Sequence, residues 1–265
     1  MTIGGNNLHY GPSDTLDKMN HKISYILPTN RRVTIASPAI KAVLDLPPHD
    51  FEILIAAPEG CIPDEIKDDA RFKWVPDKTA TGACQPTNEA YKCSDGDLIS
   101  IMSDDIMYPA NFLDVVAWMD SPEVQKKEFK IVNLMWDGGP GLFTYGHDDV
   151  LDGTSLWWPP PDRELPQFCY PYSVIPMPFI HRNTVEKHFL GHIYHPDFLQ
   201  HYGDHWIGFY TSKNETYKPN TWRCPTVNYI VLKSIASMNS RHDAEDIATF
   251  RRLASQWCQT KTPYV

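Results

Sequence analysis

The sequence is poor in the features that mark several large protein classes. It has no lysine or arginine run longer than the pairs Arg31-Arg32, Lys126-Lys127 and Arg251-Arg252, and its formal net charge is −9. A protein that grips a nucleic-acid backbone shows a concentrated basic face, so nucleic acid is disfavoured as a tightly held partner. The six cysteines (61, 84, 93, 169, 224 and 258) form no CxxC pair and no secreted-framework spacing. They are expected as free thiols in a reducing cytoplasm. No stretch approaches the roughly 18 apolar residues of a membrane span. The opening residues 1–20 lack the basic-then-apolar order of a signal peptide and are expected to form a loose arm.

What is present is an ordinary globular composition, 42% hydrophobic and 22% charged over 265 residues, enough for a sizeable core. Two excesses stand out: 23 prolines, and aromatic residues at 12%. Together they predict long, ordered, irregular loops, because disordered segments are poor in aromatics.

Apolar runs at "ISYIL" (23–27), "FEILIAAPEG" (51–60), "RFKWV" (71–75), "DLISIM" (97–102) and "FKIVNLMW" (129–136) predict strands. Between them, Ser37-Pro38 reads as an N-cap and first helical residue of a helix running to about Leu46. "PTNEAYKC" suits a helix beginning at Pro86, and Pro109 is expected to start another with Phe112, Leu113, Val115, Val116 and Met119 on its apolar face. Asn183 with Glu186 forms a capping-box pattern, and Gly191 fits that helix's C′ position. Ile247, Phe250, Leu253, Ala254 and Trp257 share one face of a last helix after Asp243. This alternation predicts an α/β fold with a mostly parallel central sheet flanked by helices. The expected organisation is a single domain with an arm (1–20), a first half (21–135), a long loop (136–178) and a second half with the C-terminal helix (179–265).

In such sheets ligands sit beyond the carboxyl ends of the strands. Those ends are "PTNRR", "APEG" and "SDD" here. Two adjacent carboxylates about 4 Å apart repel by roughly 4 kcal/mol at an effective dielectric of 20. Asp104 and Asp105 at a sheet rim therefore suggest a compensating hard cation, Mn²⁺ or Mg²⁺. A bland alternative exists, acidic residues favoured ahead of a helix by its dipole. The histidines at 188, 192, 195, 201 and 205 invite a zinc site, but Gly191 between His188 and His192 breaks their shared helical face.

The stretches "ISYILPTNRR", "FEILIAAPEG" and "TNEAYKCSDGDLISIMSDDIMYPANFL", in that order, resemble the nucleotide-binding half of a family 2 glycosyltransferase with the GT-A (Rossmann-like) fold. The resemblance covers residues 22–120 and continues more loosely over 178–210, an acceptor-side extension. It implies a metal-dependent transfer of a sugar from a nucleotide diphosphate sugar to the hydroxyl of a carbohydrate or other acceptor. Pro28, Thr29, Asn30 and Arg31 would line the nucleotide pocket, with Pro58 and Glu59 near the base and Asn88 near the donor. Asp105 matches the last acid of an Asp-x-Asp motif and would hold Mn²⁺ or Mg²⁺, with Ser103 in place of the motif's first acid. Asp104 would sit near the ribose or sugar, and His242 would join the metal. Asp204 in "YGDHWIGFY" matches the base that deprotonates the acceptor in inverting enzymes, while Gly203 replaces a neighbouring acid. From the residues themselves, Trp157-Trp158 reads as apolar packing under the long loop, with stacking on a sugar face as the alternative. Three rivals remain open. One is a non-catalytic nucleotide- or carbohydrate-binding module with a degraded site. Another is transfer to a modified DNA base, against which the acidic balance argues. The third is a nucleotidyltransferase, which would want a glycine-rich loop after the first strand where "PTNRR" has none.

Overall fold

The computed structural model describes residues 21–78, 82–104, 106–136, 144–145, 172–173, 178–200, 202–214, 223–231 and 243–260. The expected arm, most of the expected long loop with Trp157 and Trp158, and Asp105, His201 and His242 lie outside the described residues.

In chain order the elements are β1 (Ile23–Pro28), α1 (Pro38–Leu44), β2 (Phe51–Ala57), α2 (Asp64–Lys67), β3 (Phe72–Pro76), α3 (Cys84–Cys93), β4 (Leu98–Ile101) and β5 (Ile106–Met107). They continue as α4 (Asp114–Met119), α5 (Pro122–Gln125), β6 (Ile131–Trp136), β7 (Thr144–Tyr145), β8 (Tyr172–Ser173), β9 (Pro178–His181), α6 (Arg182–His188), α7 (Gly203–Asn214), β10 (Arg223–Val231) and α8 (Asp243–Thr260).

Among the described residues eight strands form one sheet in the order β3-β2-β1-β4-β9-β6-β10-β5, with β7 and β8 paired separately. β1 pairs in parallel with β2 and β4, as do β2 with β3 and β6 with β10, while β9 lies antiparallel to both neighbours and β5 antiparallel to β10. The sheet is thus mostly parallel, as the sequence predicts.

Both faces of the sheet are covered, which is why its strands read as near-continuous apolar runs. Successive side chains point to opposite faces. Tyr25, Leu27, Ile53 and Ile55 join Ile40, Val43, Phe112 and Val116 in one core. Ile26, Leu54, Ile99 and Ile101 join Tyr91, Val185, Trp206, Phe250 and Trp257 in the other. The predicted apolar face of the last helix is the face buried: Phe250, Leu253, Ala254 and Trp257 are all inside.

Several local expectations are corrected. β9 and β10 lie in stretches where no strand is predicted. Pro109 opens a series of turns rather than a helix, its carbonyl accepting from Phe112 N–H at 2.9 Å, and α4 begins only at Asp114. The N-cap of α6 is His181, whose Nδ1 accepts from Asn183 N–H at 3.2 Å, not Asn183 itself. The reason is that β9 runs straight into the helix. Glu186 is diverted to Tyr91, whose hydroxyl donates to it at 2.5 Å. After α6 both Leu190 and Gly191 take left-handed conformations, φ 52° and 76°.

Candidate active site

β1, β2, β3 and β4 all run the same way, so the loops after them share one rim. Thr29 N–H donates to the Ala56 carbonyl at 3.0 Å, locking the end of β1 to that of β2. Beyond β2 a short turn at Glu59–Cys61 follows Pro58. Val33 N–H reaches the Cys61 carbonyl at 3.1 Å, and the Cys61 thiol donates to the Asn30 carbonyl at 3.3 Å. Pro28, Thr29, Asn30, Arg31, Pro58 and Glu59 are therefore neighbours at this rim, with Asn30, Arg31 and Glu59 exposed to solvent.

β4 ends at Ile101, and Met102 N–H still bonds the Ile26 carbonyl at 2.7 Å. Ser103 and Asp104 follow where the strand has already ended, so strand alternation does not extend to them. The Asp104 carboxylate accepts from Thr29 Oγ1 at 2.8 Å and from Arg31 Nη1 at 3.1 Å. Thr29 Oγ1 in turn accepts from Arg31 N–H at 3.1 Å. Three residues from the ends of β1 and β4 thus form a closed hydrogen-bonded triangle. Its ion pair is partly solvated, the two side chains being 46% and 24% exposed, which keeps its contribution to about 1 kcal/mol or less.

The triangle bears on the cation. Asp104 already faces a guanidinium, so its charge does not need a metal. Among the described residues no group of three or more His, Cys, Asp or Glu side chains could hold a metal ion. That includes His188 and His192: His188 ends α6 with its ring 4.4 Å from Phe129. The described donors alone do not make a Mn²⁺ or Mg²⁺ site.

Asn88, one turn into α3, is buried and fully engaged. Its Nδ2 donates to the Tyr194 carbonyl at 2.8 Å and its Oδ1 accepts from Tyr194 N–H at 3.0 Å. The side-chain amide acts as one more strand partner for the segment that precedes α7. Beside it opens a cavity of about 550 Å³, bounded by Ala56, Asp77, Gln85, Asn88 and His192 among others. It lies between the ends of β2 and β3, the outer side of α3 and the 192–196 segment.

Asp204 stands in the first turn of α7, and its Oδ1 accepts from His205 N–H at 2.9 Å. It is a first-turn residue rather than an N-cap: Gly203 already belongs to the helix. α3 starts at the strand-end rim with Cys84, and α7 starts against that residue. A Cβ on Gly203 would come within 2.6 Å of Tyr194 Cδ1 and 3.1 Å of Cys84 Sγ. Position 203 thus has no room for an acidic side chain. Burial first, then the charges of Asp246 and Asp204, push the Cys84 thiol well up, so it stays protonated. Burial likewise pushes the Tyr194 phenol up.

One residue of this region has no signal in the sequence pattern. Asp246 of α8 is wholly buried, and its carboxylate accepts from Leu199 N–H at 2.8 Å and Gln200 N–H at 2.9 Å.

A parallel half-sheet whose strand ends carry the polar triangle, joined through an antiparallel strand to a second half, is the GT-A glycosyltransferase fold. No protein-family model and no curated relative matches the sequence. Solved structures do. S. aureus TarS aligns with a TM-score of 0.52 at 14% identity, over 90% of this chain and 40% of TarS. TarS 1–349 in complex with UDP aligns with a TM-score of 0.50 at 14% identity, over 86% of this chain and 70% of that one. The mannosyltransferase PcManGT from Pyrobaculum calidifontis, in complex with GDP-Man and Mn²⁺, gives 0.48 at 12% identity over 91% and 65%. The chain spans less than half the length of the longer TarS chain and 58% of another structure of TarS 1–349.

Proposed function

We propose that the chain is a glycosyltransferase that moves a sugar from a nucleotide diphosphate sugar to an acceptor hydroxyl. The observation that carries this reading is the Thr29–Arg31–Asp104 triangle at the carboxyl ends of β1 and β4. It places hydrogen-bonding groups and a guanidinium where a parallel sheet receives its ligand. A guanidinium suits a diphosphate. Asn30, Pro58, Glu59 and Ser103 border the same rim, while Asn88, its amide held by Tyr194, lines the cavity beside α3. The GT-A fold supports the same assignment.

Asp204 is the proposed base. General-base chemistry needs a carboxylate within hydrogen-bond reach of the acceptor hydroxyl, on the side away from the leaving nucleotide. In support, Asp204 is half-buried in the first turn of α7, beside the first residue of α3. Such an arrangement would invert the sugar's anomeric centre. Asp105 and His242 are the proposed ligands of Mn²⁺ or Mg²⁺, which would neutralise charge on the departing diphosphate. Among the described residues no helix is long and apolar enough to cross a membrane.

The test is a thermal-shift screen of UDP- and GDP-linked sugars with and without Mn²⁺, followed by transfer assays. Asp105→Ala should abolish donor turnover with the fold intact, and wild-type-like turnover would remove the metal role. Asp204→Asn should bind donor and lose transfer; unchanged transfer rules out the base. A second reading, a non-catalytic nucleotide- or carbohydrate-binding module, draws support from Ser103 and from the packing that forbids an acid at 203. Donor hydrolysis in Mn²⁺ would dismiss it.

A further inference from the structure

We propose that Asp246 of the C-terminal helix is a positioning residue, holding the segment that presents Asp204; this rests on the glycosyltransferase reading above. Its carboxylate takes the N–H groups of Leu199 and Gln200, one on each oxygen, at 2.8 and 2.9 Å with no solvent exposure. Leu199 and Gln200 lie five and four positions before Asp204. Between them Tyr202 adopts φ 60°, a left-handed conformation that a tyrosine takes only when its surroundings impose it. The chain makes its sharp turn there and enters α7 at Gly203, and Trp206 N–H closes the first turn on the Tyr202 carbonyl at 2.9 Å.

α8 grips this turn at a second point. Phe250 lies one helical turn beyond Asp246 and so on the same face. Its ring is 6.3 Å from Tyr202 and 6.0 Å from His205, the residues flanking Gly203 and Asp204. Asp246 fixes the main chain before the turn and Phe250 packs on the side chains around it. The loop before α3 meets the same knot: a Cβ on Gly82, at φ 143°, would fall 2.4 Å from Gln200 Cβ. Gln200 is therefore clamped between the donor-side loop and α8. A buried carboxylate accepting two charge-assisted bonds is costly to leave half-satisfied, so it specifies this arrangement over nearby ones.

Misplacing a catalytic group by about 1 Å costs on the order of 100-fold in rate. Asp246→Asn keeps the volume but offers one acceptor oxygen to two donors. Expected is a fall in kcat for transfer of about 10- to 100-fold, with the donor KM within about twofold. Trp257→Phe, on the same helix but away from residues 199–200, serves as the stability control. It should lower the melting temperature with kcat per folded molecule near wild type. Amide exchange at Leu199 and Gln200 should accelerate in Asp246→Asn and not in Trp257→Phe. Wild-type transfer with an unimpaired kcat in Asp246→Asn, or equal losses of kcat in both variants, overturns the inference alone. A wild-type chain that transfers no sugar from any donor overturns it together with the glycosyltransferase reading.

Discussion

Asn88 offers the sharpest test of what holds the two halves of the molecule together. Its side-chain amide pairs with both main-chain polar groups of Tyr194, a residue 106 positions away, in a fully buried setting. Asn88→Ala removes both partners and leaves a buried N–H and a buried carbonyl without them. Leaving one buried polar group unsatisfied costs about 1–3 kcal/mol, and a small cavity adds to the two. The two groups alone therefore cost about 2–6 kcal/mol. At about 2–4 °C per kcal/mol for a chain of this size, the melting temperature should fall by roughly 4–24 °C. Asn88→Asp should do no better, because its acceptor oxygen serves Tyr194 N–H while the Tyr194 carbonyl meets a second acceptor and a charge is buried. The assay is urea denaturation of all three proteins, with the affinity for nucleotide sugar measured beside it. A loss below about 0.5 kcal/mol for Asn88→Ala, within the range of an ordinary surface change, would refute the clamp. A large loss of donor affinity with stability intact would show that Asn88 serves the donor instead.

Gly203→Ala should lower stability by about 1–3 kcal/mol through overlap with Tyr194, and a companion Tyr194→Leu change should recover part of it; an unchanged melting temperature would refute the close approach. Stability should also fall on acidification. Burial, chiefly, holds the folded-state pKa values of His49, His181, His188 and His195 below the ordinary 6.5. The unfolded chain thus binds more protons as pH drops through about 6.5, and the native state loses ground there. A second loss is expected below about pH 4, because the hydrogen bond from Lys22 holds Asp95 at about 2 in the folded state. Melting temperatures between pH 7.5 and 5.5 that stay flat or rise would contradict the first part.

The parallel half was legible because burial on both faces writes itself as uninterrupted apolar runs. "ISYIL" and "FEILIAA" are β1 and β2 to within a residue or so. β9 was missed because its four residues, "PFIH", carry no turn signal before α6 and exist as a strand only through pairing with β4 and β6. β10 contains a proline and polar residues that mask its length. In the candidate site, the motif order brought Thr29, Arg31 and Asp104 to notice, but not the hydrogen bonds among them. That two carboxylates in a row need a cation is weakened by Arg31, 73 positions away, which no local rule could supply. Asp246 was invisible for the same reason: its partners are main-chain groups, and main-chain groups leave no trace in side-chain pattern.

β9 has a consequence for how this chain could be taken apart. It is the single strand between β4 and β6, and it comes from the second half of the sequence while both its neighbours come from the first. A polypeptide cut between residues 137 and 177 would yield one fragment with open slots in its sheet and another carrying β9 and β10, the strands that fill them. Such pieces should find each other when co-expressed, so the molecule is a natural candidate for a split reporter whose reassembly restores the whole sheet.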